Sequence, residues 1–394
     1  MANLRSSSRL LYVGDIPVET THHSSIQLYR LFEHYPPDCL QIIESGKPSE
    51  KQRRLPGVRY AWFPLARRRW LHSRVDGAYS VWLALTVAAR AGGARRLIGD
   101  PPPDAIVTIG YGYGWLVAAE LALRLGIPLH FIAHDDWPKL KGGNRFFKEW
   151  LRRRFGEVYR RAHSRLCISP LMAEEFARRY GVGGSVLYPC RADACPTFDP
   201  QPPRAIASSE AIVVGYCGGS GQEVMTGLKD LAAALSGANA RVVVFGPFDE
   251  FKRRQLLAIS PAFEFRGFVP YLEMIAGLRA ADVLIVPMSF DELFRDNMIV
   301  SFPSKLVDYT AVGVPLLIQG PPYCSAVTWA KRNEPLAELV ETPGPGSLAD
   351  ALQRLKADPV RRRRLAERAL TAGAAFTPAS AREGFEAALL SRGL

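Results

Sequence analysis

Short apolar runs alternate with segments of helical period along almost the whole chain. No other feature of the sequence limits the fold as strongly. In the first half, residues 10–13, 39–43, 106–109, 129–133 and 166–168 read as buried strands, and residues 24–33, 70–90, 115–125 and 146–162 carry helical periodicity between them. Strand–helix alternation with short turns selects parallel strands and right-handed crossovers. The pattern lapses in CRADACPTFDPQPPRAIASS, a Pro-, Ser- and Asp-rich stretch that reads as a linker. It restarts with strands at 212–215, 241–245, 283–287 and 315–318, and with helices at 224–235, 272–280, 304–312, 348–356, 359–374 and 379–390. The expected fold class is therefore α/β, with two Rossmann-like doubly wound domains facing across a cleft. The expected boundaries are 1–195, a linker at 196–209, 210–375, and a C-terminal helix within 376–394 packing back toward the N-terminal domain. A length of 394 residues suits two such domains.

Composition excludes several classes. At 48% hydrophobic and 22% charged residues the chain is globular. No apolar run reaches the roughly 18–20 residues that span a bilayer. Arg5 and Arg9 precede only residues 10–13 before Gly14 and Asp15, too short for a signal peptide, so the expected location is cytoplasmic. The six cysteines have no metal-binding spacing, and neither a metal nor a disulfide framework is expected. Residues 1–190 hold 28 basic and 16 acidic residues, a net of +12; the remainder holds 22 of each, a net of zero. A charge confined to one half attracts an anionic partner. No nucleic-acid-binding module is present, so no nucleic-acid partner is expected. Basic residues interleave with Trp and Phe at 60–75 and 139–161, a composition suited to the inner face of a membrane and to peripheral association there.

The segment SFPSKLVDYTAVGVPLLIQG, residues 301–320, carries the most chemistry. Pro303 suits the first position of a helix, and the amides of Ser304, Lys305 and Leu306 would then lie free at its N-terminus. Such amides attract an anion, and Lys305 adds a mobile positive charge. One turn later Asp308 is placed to accept hydrogen bonds from a vicinal diol such as a ribose. An anion clamp followed by a diol acceptor matches a nucleoside diphosphate.

Residues 283–320 resemble the donor-binding signature of retaining glycosyltransferases of the GT-B fold, and most closely glycosyltransferase family four, which builds bacterial polysaccharides and glycolipids. LLYVGDIP, PLHFIAHDDWP, LCISPLMAEEFARRYG and VVGYCGGSG extend the resemblance over nearly the whole chain. It implies a nucleotide-diphosphate sugar as co-substrate, no cofactor, and a glycan or lipid-linked acceptor. It implies further that Asp308 holds the donor ribose and that Pro303, Ser304, Lys305, Leu306, Gly218 and Gly219 surround the donor. The family's second carboxylate, eight residues earlier, is Val300 here. Asp291, Glu292 and Asp296 are the candidates to reach the donor sugar instead. The family's diphosphate-binding Arg and Lys are replaced by Gly219 and Thr226, which shifts that work to Lys305.

On the N-terminal side, the resemblance assigns His134, next to Asp135 and at the end of a strand, to a sugar hydroxyl; both are candidate catalytic residues. Gly14, Asp15, Ser24 and Ser25 occupy the loop that the family sets against donor phosphates. Gly112 belongs to Gly110-Tyr-Gly112-Tyr-Gly114, which imitates a dinucleotide fingerprint but has Trp115 where the third glycine belongs. Two alternatives stay open beside a transferase: a catalytically impaired GT-B relative acting as a binding partner at the membrane, and a sugar-nucleotide epimerase.

Overall fold

The structure, a computed structural model, describes residues 8–21, 23–45, 50–63, 76–140, 145–202 and 204–390. The chain divides into two compact units. Unit 1 comprises Met1–Cys190 with Pro378–Leu394, and unit 2 comprises Arg191–Thr377.

Unit 1 is built on β1 (Leu10–Gly14), β2 (Leu40–Glu44), β3 (Arg59–Trp62), β4 (Ala105–Ile109), β5 (Leu129–Ala133), β6 (Ser164–Cys167) and β7 (Ser185–Val186). All pair in parallel, in the order β3-β2-β1-β4-β5-β6-β7. Every residue of β1, β4 and β5 is buried, as their aliphatic composition demands of strands covered on both faces. The helices are α1 (His23–Phe32), α2 (Asp76–Leu85), α3 (Val87–Arg95), α4 (Gly114–Leu125), α5 (Trp137–Leu140), α6 (Arg145–Arg161) and α7 (Pro170–Tyr180). Start and stop signals are explicit in α7: Ser169 Oγ accepts the Met172 amide at 3.2 Å, Pro170 opens the first turn, and Gly181 ends it in the left-handed region. The long segment read as one helix over 70–90 resolves into α2 and α3, and residues 64–75 lie outside the described residues.

Unit 2 repeats the plan. Its strands are β8 (Ile212–Cys217), β9 (Ala240–Phe245), β10 (Phe263–Gly267), β11 (Val283–Pro287), β12 (Leu316–Gln319) and β13 (Ala337–Val340), all parallel, in the order β10-β9-β8-β11-β12-β13. The helices are α8 (Gln222–Ala238), α9 (Glu250–Leu257), α10 (Tyr271–Arg279), α11 (Arg295–Val300), α12 (Lys305–Tyr309), α13 (Ser325–Arg332), α14 (Pro345–Ala357) and α15 (Pro359–Ala372). The last helix, α16 (Pro378–Leu390), belongs to unit 1, where Phe385 and Ala388 join the core beside Phe32.

The stretch read as a linker is anchored to unit 2. The Gln201 amide donates to the Gly313 carbonyl at 2.9 Å, and its side chain bonds the carbonyls of Arg279 and Ala281. Arg204 pairs with Asp282 at 2.8 Å. Segments of low periodicity thus gain order from side-chain bonds that a period cannot reveal.

Both sheets have the doubly wound order in which the strand direction of travel reverses once, between β1 and β4 in unit 1 and between β8 and β11 in unit 2. Ligands of such sheets bind beyond the carboxyl ends of the strands flanking that reversal.

Candidate functional site

The two reversal points are furnished differently. In unit 1 the position beyond β1 is filled by the chain's own carboxylate. Asp15 accepts the Gly114 amide at 2.7 Å, bonds the Tyr113 amide closely, and accepts the Ser45 hydroxyl at 2.6 Å. Tyr113 and Gly114 begin α4, so Asp15 occupies the helix N-terminus that a phosphate would otherwise use. Gly112 has φ +67°, and a Cβ there would stand 2.2 Å from Asp15 Oδ2. Asp15 and Gly112 form an internal cap; Gly112 and Gly114 answer to the close approach of residues 14 and 15, and Gly110 to that of Phe131 and Phe155. Of the residues expected in the cleft loops, Asp15 and Gly112 are thus engaged with each other, and a Cβ on Gly14 would meet the Tyr12 ring.

In unit 2 the nearest carboxylate named beside the corresponding place is Glu223, in the first turn of the helix after β8; it lies against Gly221 and pulls on Lys305 without an ion pair among the described residues. Strand β8 ends at Cys217, and the chain turns through Gly218–Gly221 into the 17-residue helix α8. Gly218 has φ +146°, which strongly favours glycine, and a Cβ there would lie 3.3 Å from Lys305 Cε. Around Gly219 a Cβ would meet nothing within 4 Å. Tyr216 Oη donates to the Gly219 carbonyl at 2.7 Å and holds the turn open. Lys305 Nζ sits 5.2 Å from the centre of the Tyr216 ring and forms no ion pair among the described residues. Burial lowers its pKa to about 8, against the opposing pull of Cys217 and Glu223. A desolvated cation over an aromatic ring, with its nearest carboxylate beyond ion-pair distance, has the chemistry to take up an anion.

Asp308, one turn beyond Lys305, accepts the Tyr271 hydroxyl at 2.9 Å on Oδ1. Tyr309 ties α12 to β8: the Cys217 amide donates to its hydroxyl at 2.6 Å. The sheet reversal thus gathers Gly218, Gly219, Lys305 and Asp308 in one region of unit 2.

The amide cradle expected at Pro303 is only partly present. The helix starts at Lys305, one turn is already closed, and the Leu306 amide donates to the Pro303 carbonyl at 3.0 Å. Leu306 is thereby removed as a donor, and its side chain is buried. Ser304 and Lys305 donate no backbone hydrogen bond among the described residues. The weight of anion binding moves from amides to the Lys305 ammonium.

The three acidic residues proposed to replace the family's second carboxylate are placed separately. Asp291 caps a short turn by accepting the Leu293 amide at 2.9 Å, and Glu292 pairs with Arg295 at 3.1 Å. Both carboxylates are exposed and make these bonds within their own turn, and Asp296 is exposed on α11. Val300 is buried in the core and supplies no polar group.

In unit 1, Ser24 and His134 line one cavity together with Leu28, Ile109, Ile132 and Tyr188. Both His134 ring nitrogens are buried without a hydrogen-bond partner, and Asp135 Oδ2 lies 4.0 Å from Nδ1. Burial lowers the His134 pKa while Asp135 opposes the shift, so the imidazole is neutral at pH 7. Ser25 is buried within α1. Asp136, adjacent in sequence, is committed to Arg179 at 2.6 Å.

Sequence reasoning missed Tyr216 and Tyr271. The signal for the first was a tyrosine inside the otherwise aliphatic run VVGYC; nothing in the sequence ties Tyr271 to Asp308, 37 positions away.

Residues 33–187 match the family model of a glycosyl transferase 4-like domain. No curated protein matches the chain in sequence. Among solved structures, Anabaena HepE in complex with UDP and glucose superposes with a TM-score of 0.70 at 15% identity, covering 98% of this chain and 100% of that one. Sucrose-phosphate synthase from Thermosynechococcus elongatus gives 0.69 at 16% identity, over 96% and 98% of the two chains. The α,α-trehalose 6-phosphate synthase from Burkholderia multivorans gives 0.66 at 13%, over 97% and 98%. At these identities the likeness is one of fold.

Proposed function

We propose that this chain, a protein of the GT-B glycosyltransferase fold with a glycosyl transferase 4-like domain over residues 33–187, moves a sugar from a nucleotide-diphosphate donor to a glycan or lipid-linked acceptor with retention of configuration. The observation that carries the reading is the reversal point of unit 2, where Lys305, in no ion pair among the described residues, lies beside the Gly218 turn and Asp308 follows one helical turn later. Lys305 would neutralise the leaving diphosphate, and Asp308 would hold the ribose. The donor's C1–O bond breaks as the acceptor oxygen bonds C1 on the same face. The acceptor proton passes to a diphosphate oxygen, so no protein nucleophile is required. The contribution of the chain is positioning and charge stabilisation. His134, neutral and unpartnered, is assigned to a sugar hydroxyl. UDP is the favoured nucleotide, because HepE was solved with it.

The test is a thermal-shift screen with UDP-, GDP- and ADP-sugars, followed by donor turnover. A stabilising sugar nucleotide, hydrolysed slowly without acceptor, supports a transferase. Stabilisation with no turnover of any donor favours the impaired relative, and consumption with exchange of a sugar proton favours an epimerase. Asp308→Ala should weaken the hit by about 1–3 kcal/mol, the cost of a lost charged hydrogen-bond partner.

A second observation concerns where the acceptor is met. On α6, Leu151, Phe155, Val158 and Tyr159 are buried, but Phe146 is 84% exposed and Trp150 40%. The helix carries seven basic and two acidic residues. This face supports docking on an anionic membrane surface. The other basic stretch, 60–75, lies mostly outside the described residues.

A further inference from the structure

The group that sets the geometry of Asp308 is Tyr271. It is the first residue of α10, and its hydroxyl donates to Asp308 Oδ1 at 2.9 Å. Burial, and after it the Asp308 charge, raise the Tyr271 pKa far beyond the ordinary range. The phenol therefore stays protonated at every working pH and can only donate to the carboxylate.

The bond ties Oδ1 to α10 and restricts the two side-chain torsions of Asp308. A carboxylate has about four lone-pair sites, and the phenol takes one of them. Tyr271 is itself held: it opens a nine-residue helix, and Pro270 accepts the Met274 amide at 2.9 Å across that first turn. Cys195, one residue from Pro196, also contacts the phenol and raises its pKa. The Asp308 carboxylate is thus aimed by a rigid aromatic group on a neighbouring helix, the arrangement that a directional two-hydroxyl contact needs.

We infer that Tyr271 is the positioning residue for the donor's ribose, and that through Asp308 it sets discrimination between ribonucleotides and 2′-deoxyribonucleotides. The inference rests on the donor-site reading above. A site built to hydrogen-bond a hydroxyl rejects the analogue lacking it, because its polar groups are then left unpaired. Discrimination depends on the aim of Asp308 and should fall when the aim is lost.

The experiment uses the full-length chain and its Tyr271→Phe variant, which keeps the ring and removes the hydroxyl. Calorimetry gives the dissociation constants of UDP and 2′-deoxy-UDP. We expect the wild type to prefer UDP by about tenfold or more. In the variant UDP should weaken about 5- to 30-fold and 2′-deoxy-UDP less than twofold, so that the preference collapses while the unfolding temperature stays close to wild type. Equal weakening of both nucleotides, or an unchanged preference, overturns the inference and leaves the donor site standing. If the wild type binds neither UDP nor GDP nor ADP, the donor-site reading fails and the role of Tyr271 fails with it. Should Tyr271→Phe unfold, Tyr271→Trp gives the same comparison; a preference retained there likewise overturns the inference.

Discussion

At the scale of single residues, Lys305 makes the sharpest commitment. Burial lowers its pKa to about 8 from the ordinary 10.5, so between pH 8 and 10.5 the unfolded chain binds a proton that the folded chain does not. Stability therefore rises with pH across that window, and at pH 7 the buried cation costs the free protein about 1–3 kcal/mol. A bound diphosphate reverses the preference and restores the proton. UDP affinity should be nearly flat below pH 8 and should fall up to tenfold per pH unit above it. Lys305→Met should stabilise the free protein at pH 7, weaken UDP, and remove the slope above pH 8. Calorimetry from pH 7 to 9.5 reads all three effects; a slope that survives in Lys305→Met would place the titrating group elsewhere. The residue type was legible in the sequence at this position, as was Asp308. Their environment was not: Tyr216 and Tyr271 reach the site from β8 and α10, and contacts across tens of residues leave no local period.

At the scale of elements, the strands were readable because a parallel strand buried on both faces must be almost wholly aliphatic, as β4, β5 and β11 are. Edge strands β3 and β7, half exposed and polar, gave no such signal. The glycines before α4 were legible as a demand for close approach. What approaches them was not, because Asp15 is nearly a hundred residues away. Helix α12 shows the opposite failure. Its sequence promised three free amides, and the first-turn bond from Leu306 to Pro303 withdrew one of them. Helix α6 carries its own test. Its N-terminal half exposes Phe146 and Trp150 among arginines, and Glu149 holds Arg153 at 3.1 Å without neutralising the excess. Flotation with phosphatidylglycerol vesicles at low salt should recover the protein in the lipid fraction. Phe146→Ser with Trp150→Ser should reduce that fraction several-fold, and 0.5 M salt should do the same. Absence of binding at low salt removes the membrane from the account.

At the scale of the whole molecule, the two units share one order over six strands, with β7 added at one edge of unit 1, and their reversal points are furnished differently. In unit 1 the point beyond β1 is closed by Asp15; in unit 2 the point beyond β8 is left to Gly218, Gly219 and Lys305. On that difference we place the proposed nucleotide site in unit 2, and the charge distribution runs the other way, with the basic excess on residues 1–190. In this proposal anion affinity comes from Lys305 and not from the overall field. Among the described residues no helix is long and apolar enough to cross a membrane. A crystal structure of the chain with UDP tests the assignment most directly. The account predicts a diphosphate oxygen within hydrogen-bond distance of Lys305 Nζ and both ribose hydroxyls on Asp308, with Tyr271 still bonded to that carboxylate. A nucleotide seated against unit 1, or on unit 2 away from Lys305, would contradict it.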